Sequence, residues 1–253
     1  MNGIYNKVLD AMDEGLSIFI KKVPRPKKVP FKDHFVYCYT EKSIHQAIIL
    51  KLVRMISGLR ATKLLAEHGF VQEQASLQRM LDEITESIEF LFYAAVSGDI
   101  TDLHEEYLKA FYEKMDVESS RNRPMIPRKK LRQYIESMDH KFSQMPGDKK
   151  DINKDVDPSR ILTKVYSDCL HAAAPAIMDL YYGGTQTFHT NGVLDTPRHR
   201  EHIQDFMHVM FRAVLCFRFA CLAFEEKNVL EKIKEASKSF NELYFQHFPQ
   251  VRT

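Results

Sequence analysis

Between Thr40 and Val96 the chain keeps apolar side chains at helical spacing across two long stretches, broken only at Gly69. That pattern constrains the fold more than any other feature. The first stretch, Thr40 to His68, has Ile44, Ile48, Ile49, Leu52, Val53, Ile56, Leu59 and Leu64 pointing in nearly every direction at the helical turn angle, so it predicts a central helix covered from several sides. Thr40 is the expected N-cap, and Gly69 is expected to close the helix in the left-handed conformation. The second stretch, Val71 to Val96, is amphipathic, with Leu77, Leu81, Ile84, Ile88 and Leu91 on one stripe. Joined by so short a turn, the two predict an antiparallel helical hairpin.

Helical periodicity continues in both directions. Residues 4 to 20 place Tyr5, Leu9, Met12, Leu16 and Ile20 on one side, after which Pro24, Pro26 and Pro30 extend the chain. Further helices are expected near 101–115, near 128–145 on Leu131, Ile135, Met138 and Phe142, from the Asp157-Pro158 cap to Tyr182, from the Thr196-Pro197 cap to Glu226, and at the C-terminus. No stretch alternates with a period of two, so the expected fold class is all-α: a multi-helix bundle of about seven to eight helices built around the long hairpin. The organisation reads as residues 1–31, an N-terminal helix with a Pro/Lys-rich arm, followed by residues 32–253, a helical bundle domain with a mobile loop near 146–157.

Composition excludes a global electrostatic partner: 36 basic side chains face 34 acidic ones, leaving a formal charge of +2. Cys38, Cys169, Cys216 and Cys221 lie in apolar surroundings without a CxxC pair, which reads as reduced thiols rather than a disulfide or zinc frame. The run from Val209 to Phe224 is interrupted by Arg212 and Arg218, so a buried helix is expected and no membrane span. With Asp10, Asp13 and Glu14 near its start the chain lacks the order of a secretory signal, and the expected location is cytoplasmic.

Several residues of this framework carry a resemblance. Arg54 on the first helix, Gly69, Ala75, Arg79 and Glu83 on the second, and Tyr166, Ser167 and His171 further on match short motifs over about residues 45 to 185. In these the chain resembles a large family of uncharacterised helical bacterial proteins, a domain of unknown function. Membership would imply the all-α fold and a bacterial or phage-related origin, and it implies no activity.

Two readings of the charged positions stand side by side. Arg79, Glu83 and Glu86 fall opposite the Leu77 stripe, which suits a solvated face with an i,i+4 pair. Yet Arg212 and Arg218 sit in an almost wholly apolar helix and need acceptors, so a partly buried cluster drawn from Arg54, Arg79, Glu83, Glu86 and Arg212 is the rival reading. Should Arg79 and Glu83 meet His171, they are the candidate catalytic residues, with Arg54, Tyr166 and Ser167 as candidate binding residues. Pro175 would free the carbonyl of His171 inside a continuous helix and kink it there.

Four classes of function follow. The Arg-to-His spacing of helical ribonucleases is absent from any single helix, so a nuclease-like effector acting on RNA would have to assemble its Arg/Glu/His cluster from two helices. His189, His199, His202 and His208 lie close in sequence, but there is no HExxH or paired ExxH, and neither metal nor cofactor is expected. Residues 21–28 and 121–132 hold five and six basic side chains without an acidic one, an electrostatic footprint for RNA or DNA, though without aromatic interleaving. Finally, the terminal amphipathic helices, with the aromatics of FNELYFQHFPQV, offer a docking face for the body, a protein partner or a second copy. The absence of nucleotide, nucleophile or metal motifs places a self-associating binding or regulatory protein first, and the effector second.

Overall fold

The computed structural model describes residues 2–113, 126–143 and 166–249. The loop expected at 146–157 and the Asp157-Pro158 cap lie outside the described residues. Helix α1 spans Asn2–Lys21, and a hairpin of β1 (Lys27–Phe31) and β2 (His34–Cys38) follows. Then come α2 (Ile44–Glu67), α3 (Val71–Ser97), α4 (Asp102–Tyr112) and α5 (Arg128–Ser143). A short helix α6 (Ala174–Met178) and a small hairpin of β3 (Tyr181–Tyr182) and β4 (Thr187–Phe188) precede the long α7 (Pro197–Ala223) and α8 (Lys227–His247).

The core is built where α2, α3 and α7 pack together, with α1 and α8 closing it on one side and α5 lying against α3. Ile48, Leu52, Met55 and Leu59 of α2 meet Leu81, Ile88 and Leu91 of α3 and Met210, Val214 and Phe217 of α7, all buried. The helical hairpin is as the spacing predicts. Gly69 sits at φ 72 in its turn, where a side chain would be strained. The start of α2 differs: Ser43, not Thr40, caps it, through a reciprocal pair with Gln46. Coverage of α2 is also incomplete, because Leu50, Val53 and Leu64 remain exposed on one side. On α1 the apolar stripe ends at buried Phe19, with Ile20 exposed.

Two corrections concern extended chain. The Pro/Lys-rich arm is a β-hairpin, in which Lys28 pairs with Tyr37, Val29 with Val36 and Pro30 with Phe35. The boundary expected after residue 31 therefore falls at its turn, where Lys32 takes φ 53. Secondly, the helix expected to reach Tyr182 is broken. Residues 166–170 are helical, Ala172 is left-handed at φ 51, and Pro175 stands in the first turn of a new helix, α6, where it needs no intrahelical donor. A proline that could have kinked a long helix here starts a short one.

Helix α7 is long and apolar enough to cross a membrane by length and composition, but most of that surface is buried within the fold. Helix α8 docks on α1 and α7. Phe240 and Tyr244 enter the core and Phe211 stacks on Tyr244 at 4.2 Å, so the C-terminal aromatics are spent inside this chain.

Candidate functional site

Helix α5 covers the charged side of α3. Arg79 pairs with Glu83 at 2.7 Å, as expected, but Glu83 also accepts from Arg128 at 2.8 Å, and Glu86 takes both Arg128 (2.6 Å) and Arg132 (2.8 Å). Two carboxylates of α3 are thus held by three guanidinium groups, two of them from α5. The face is not plain solvent. It is the wall of a cavity.

That cavity, about 450 Å³, lies among α2, α3, α4 and α5, and Arg54 and Glu83 both line it. Its carboxylates, Glu83 and Glu86, are engaged by arginines as described. Lys51 and Arg54 of α2 have no carboxylate partner among the described residues. Instead the ammonium of Lys51 stands 4.8 Å from the ring centre of Phe111 and 5.7 Å from that of Tyr107. These two rings lie nearly parallel, 6.2 Å apart. A cavity of this size, with flat apolar surface and cations left over after internal pairing, suits a small organic molecule carrying negative charge.

His171 is elsewhere. It is exposed in the turn after residues 166–170, with its backbone N–H donating to the Ser167 carbonyl at 3.0 Å, and no hydrogen bond or ion pair joins it to Arg79 or Glu83. Ser167 is half-buried. Tyr166, by contrast, is almost fully buried and packs with Ala75, Cys169 and Ala176 in a small second core.

Tyr166 marks a polar layer between α3 and the first half of α7. Burial raises its phenol, and the neighbouring Asp205 and Asp82 raise it further. Asp205 is itself pushed up by burial to about 6, with Arg198 and the Tyr166 hydroxyl opposing. Burial, helped by Arg198, holds His202 neutral down to about 4. Asp82 receives the Arg212 guanidinium, so this core arginine finds the carboxylate it requires. Among the described residues Arg218 reaches the Ser237 hydroxyl, at 3.3 Å, and burial lowers its pKa. Gln72 and Gln74 donate at 2.6 Å to the carbonyls of Ala176 and His202.

Of the histidines that lie close in sequence, His199 and His202 are buried. His199 spends both ring nitrogens on backbone: Nε2–H donates to the Ala66 carbonyl at 2.7 Å, and Nδ1 accepts from Asp195 N–H at 3.3 Å. Neither nitrogen is left for an ion, and no group of three His, Cys, Asp or Glu side chains among the described residues is arranged to hold a metal. The four cysteines are free, and burial pushes the thiols of Cys169, Cys216 and Cys221 up.

Periodicity did not reveal Asp82, Asp205 or His202. Asp82 is one residue from the Leu81 stripe, and that adjacency to the apolar side, with Arg212 in an apolar helix opposite, was the available signal. Comparison with known protein families, with curated proteins and with solved structures finds no match to this chain.

Proposed function

We propose that this chain is a binding or regulatory protein whose ligand is a small organic anion held in the cavity between α2 and α5. The observation that carries the reading is the charge balance of the lining. Glu83 and Glu86 are consumed by Arg79, Arg128 and Arg132, while Lys51 and Arg54 have no carboxylate partner among the described residues and line the cavity with Tyr107 and Phe111. A carboxylate or phosphate would take the two cations, and a flat ring would lie on the aromatic pair. The effector reading finds no comparable support, because no hydrogen bond or ion pair among the described residues joins His171 to Arg79 or Glu83.

The test is calorimetric titration with matched probes: 4-hydroxybenzoate against 4-hydroxybenzamide, and adenosine monophosphate against adenosine. At least one anion is expected to bind about tenfold or more tightly than its neutral partner, the difference made by roughly one charge-assisted hydrogen bond. Lys51→Met with Arg54→Gln should erase that preference. Equal binding of each neutral partner, or binding that survives the double substitution, would exclude this reading.

A further inference from the structure

We infer that the β1–β2 hairpin is a second, independent binding surface, made for single-stranded nucleic acid. Residues 21 to 32 carry six basic side chains, Lys21, Lys22, Arg25, Lys27, Lys28 and Lys32, and no acidic one. Read linearly, that stretch has a single ring, Phe31, beside its cations. Folding supplies the rings. Antiparallel pairing sets Lys28 opposite Tyr37 and Pro30 opposite Phe35, and directly opposed residues share one face of a ribbon.

Burial identifies that face as the outer one. Val29, Phe31, Val36 and Cys38 are half-buried, whereas Lys28, Pro30, Phe35 and Tyr37 are exposed. Phe35 is 58% and Tyr37 74% exposed, very high for large aromatics held on a regular strand. Two residues apart, they lie about 6.6 Å from each other along the strand, far enough for each to receive its own base.

The cations of the hairpin, on both of its faces, are largely unspent. Lys28 stands 4.4 Å from the centre of the Phe35 ring and Lys32, on the other face, stands 5.8 Å from that of Phe31, and neither pairs with a carboxylate among the described residues. Lys22 is used, by Glu226 and by the Phe224 carbonyl, and Lys27 faces Glu41 loosely at 3.7 Å. Asp33 is occupied by His34. Rings that accept the π-face of any base, set among lysines that follow phosphates, are the two components of sequence-tolerant single-strand binding. A duplex would not use the rings, since its bases are already stacked on one another. An anionic membrane would use the lysines, but lying in an interface needs a broad apolar face, and here only two rings project.

The experiment is fluorescence anisotropy of the full chain at about 50 mM salt with four probes: labelled oligothymidylate and oligouridylate of about 20 nucleotides, a duplex of the same length, and phosphatidylserine vesicles. Both single strands are expected to bind more tightly than the duplex. Phe35→Ala and Tyr37→Ala should each weaken them about tenfold, with Tyr37→Phe retaining binding. Lys28→Gln and Lys32→Gln should each reduce the slope of log affinity on log salt by roughly 0.7. An unchanged melting temperature in every variant shows that the helical body is intact. No single-strand binding, equal binding to duplex, or binding unaffected by both alanine substitutions overturns the inference. Vesicle binding without single-strand binding overturns it in favour of a lipid surface.

Discussion

Arg212 of α7 and Asp82 of α3 meet across the central helix interface, with the second guanidinium nitrogen bonded to the Thr85 hydroxyl at 3.2 Å. The Asp82 side chain is only 4% exposed and that of Arg212 27%, so the acid is committed to the interior and the base is not. This asymmetry decides which partner is costly to remove alone. Asp82→Ala leaves a guanidinium that has lost its counter-charge but can turn toward water, and should cost about 3 kcal/mol, the low end for a broken buried pair. Arg212→Ala takes its guanidinium from a carboxylate with almost no access to solvent and should cost about 4–5 kcal/mol. Urea unfolding of the two variants measures the difference, and a reversed order would show that the exposure of the two partners does not set the cost of breaking the pair.

A similar contrast applies on the other side of α3. Glu86 is 15% exposed and receives both Arg128 and Arg132, whereas Glu83 is 49% exposed. Glu86→Gln should cost about 1–2 kcal/mol, since it weakens two charge-assisted contacts to α5 at once. Glu83→Gln should stay within about 0.5 kcal/mol, because water screens an ion pair that is half in solvent. Hydrogen exchange in α5 should accelerate in the first variant and not in the second. Equal exchange in both would mean that α5 is held by Leu131, Ile135 and Met138 alone.

Those contrasts show what periodicity can and cannot carry. The hairpin of α2 and α3, the burial of α7 and the Thr196-Pro197 cap were legible because each rests on a local signal: apolar spacing, a glycine turn, a hydroxyl before a proline. The β1–β2 hairpin was not, because five-residue strands give too few alternations and Pro30 argues against a strand unless it lies on an edge, as it does here.

Part of the cavity lining was legible. Arg54 and Glu83 do line one cavity, but they do so because α5 folds back over α3, a relation that no spacing in either helix encodes. Tyr166 was placed among the candidates by resemblance, and its burial against Asp205 depends on where residues 166–176 cross α3. His171 shared a short motif with Tyr166, yet the left-handed Ala172 ends the helical turn beside it and leaves it in solvent.

The segment from Tyr166 to Asp195 is fastened at its far end by an unusually close backbone approach. Gly192, at φ 96, would place an added Cβ 2.1 Å from the His68 carbonyl oxygen, and next to it Val193 N–H donates to the Gly69 carbonyl at 2.9 Å. Gly192→Ala must break this contact, adding left-handed strain of about 1 kcal/mol or more to the steric conflict. The small core of Ala75, Tyr166, Cys169 and Ala176 is separate from the main one, so the damage should stay local. Exchange of the Val193 amide is expected to rise more than tenfold while amides in α2 and α7 keep their protection. Uniform loss across the molecule would instead make this attachment part of the global fold.

Within the polar layer, Asp205 and His202 pull the stability in opposite directions over the same range of pH. Asp205 ordinarily titrates near 3.8 and is raised by burial to about 6 in the folded chain. Between those values the folded state keeps a proton that the unfolded state has lost, so this residue's contribution is fully present below about pH 4 and is lost as pH rises through 6. His202, ordinarily near 6.5, is lowered to about 4. Its unfolded form takes up a proton that the folded form refuses, so its contribution is present above about pH 6.5 and is lost as pH falls toward 4. Each effect amounts to about 3 kcal/mol across its window, and in the intact protein the two nearly cancel. Asp205→Asn should expose the histidine's dependence, making the variant progressively less stable than the parent on acidification from about pH 6.5 to 4.5. His202→Gln should expose the opposite slope, gaining on the parent over that range. Urea unfolding at several pH values, read as the difference between variant and parent, removes the contribution of every other titrating group. Parallel curves for parent and variants would mean that neither residue keeps its shifted protonation in the folded state.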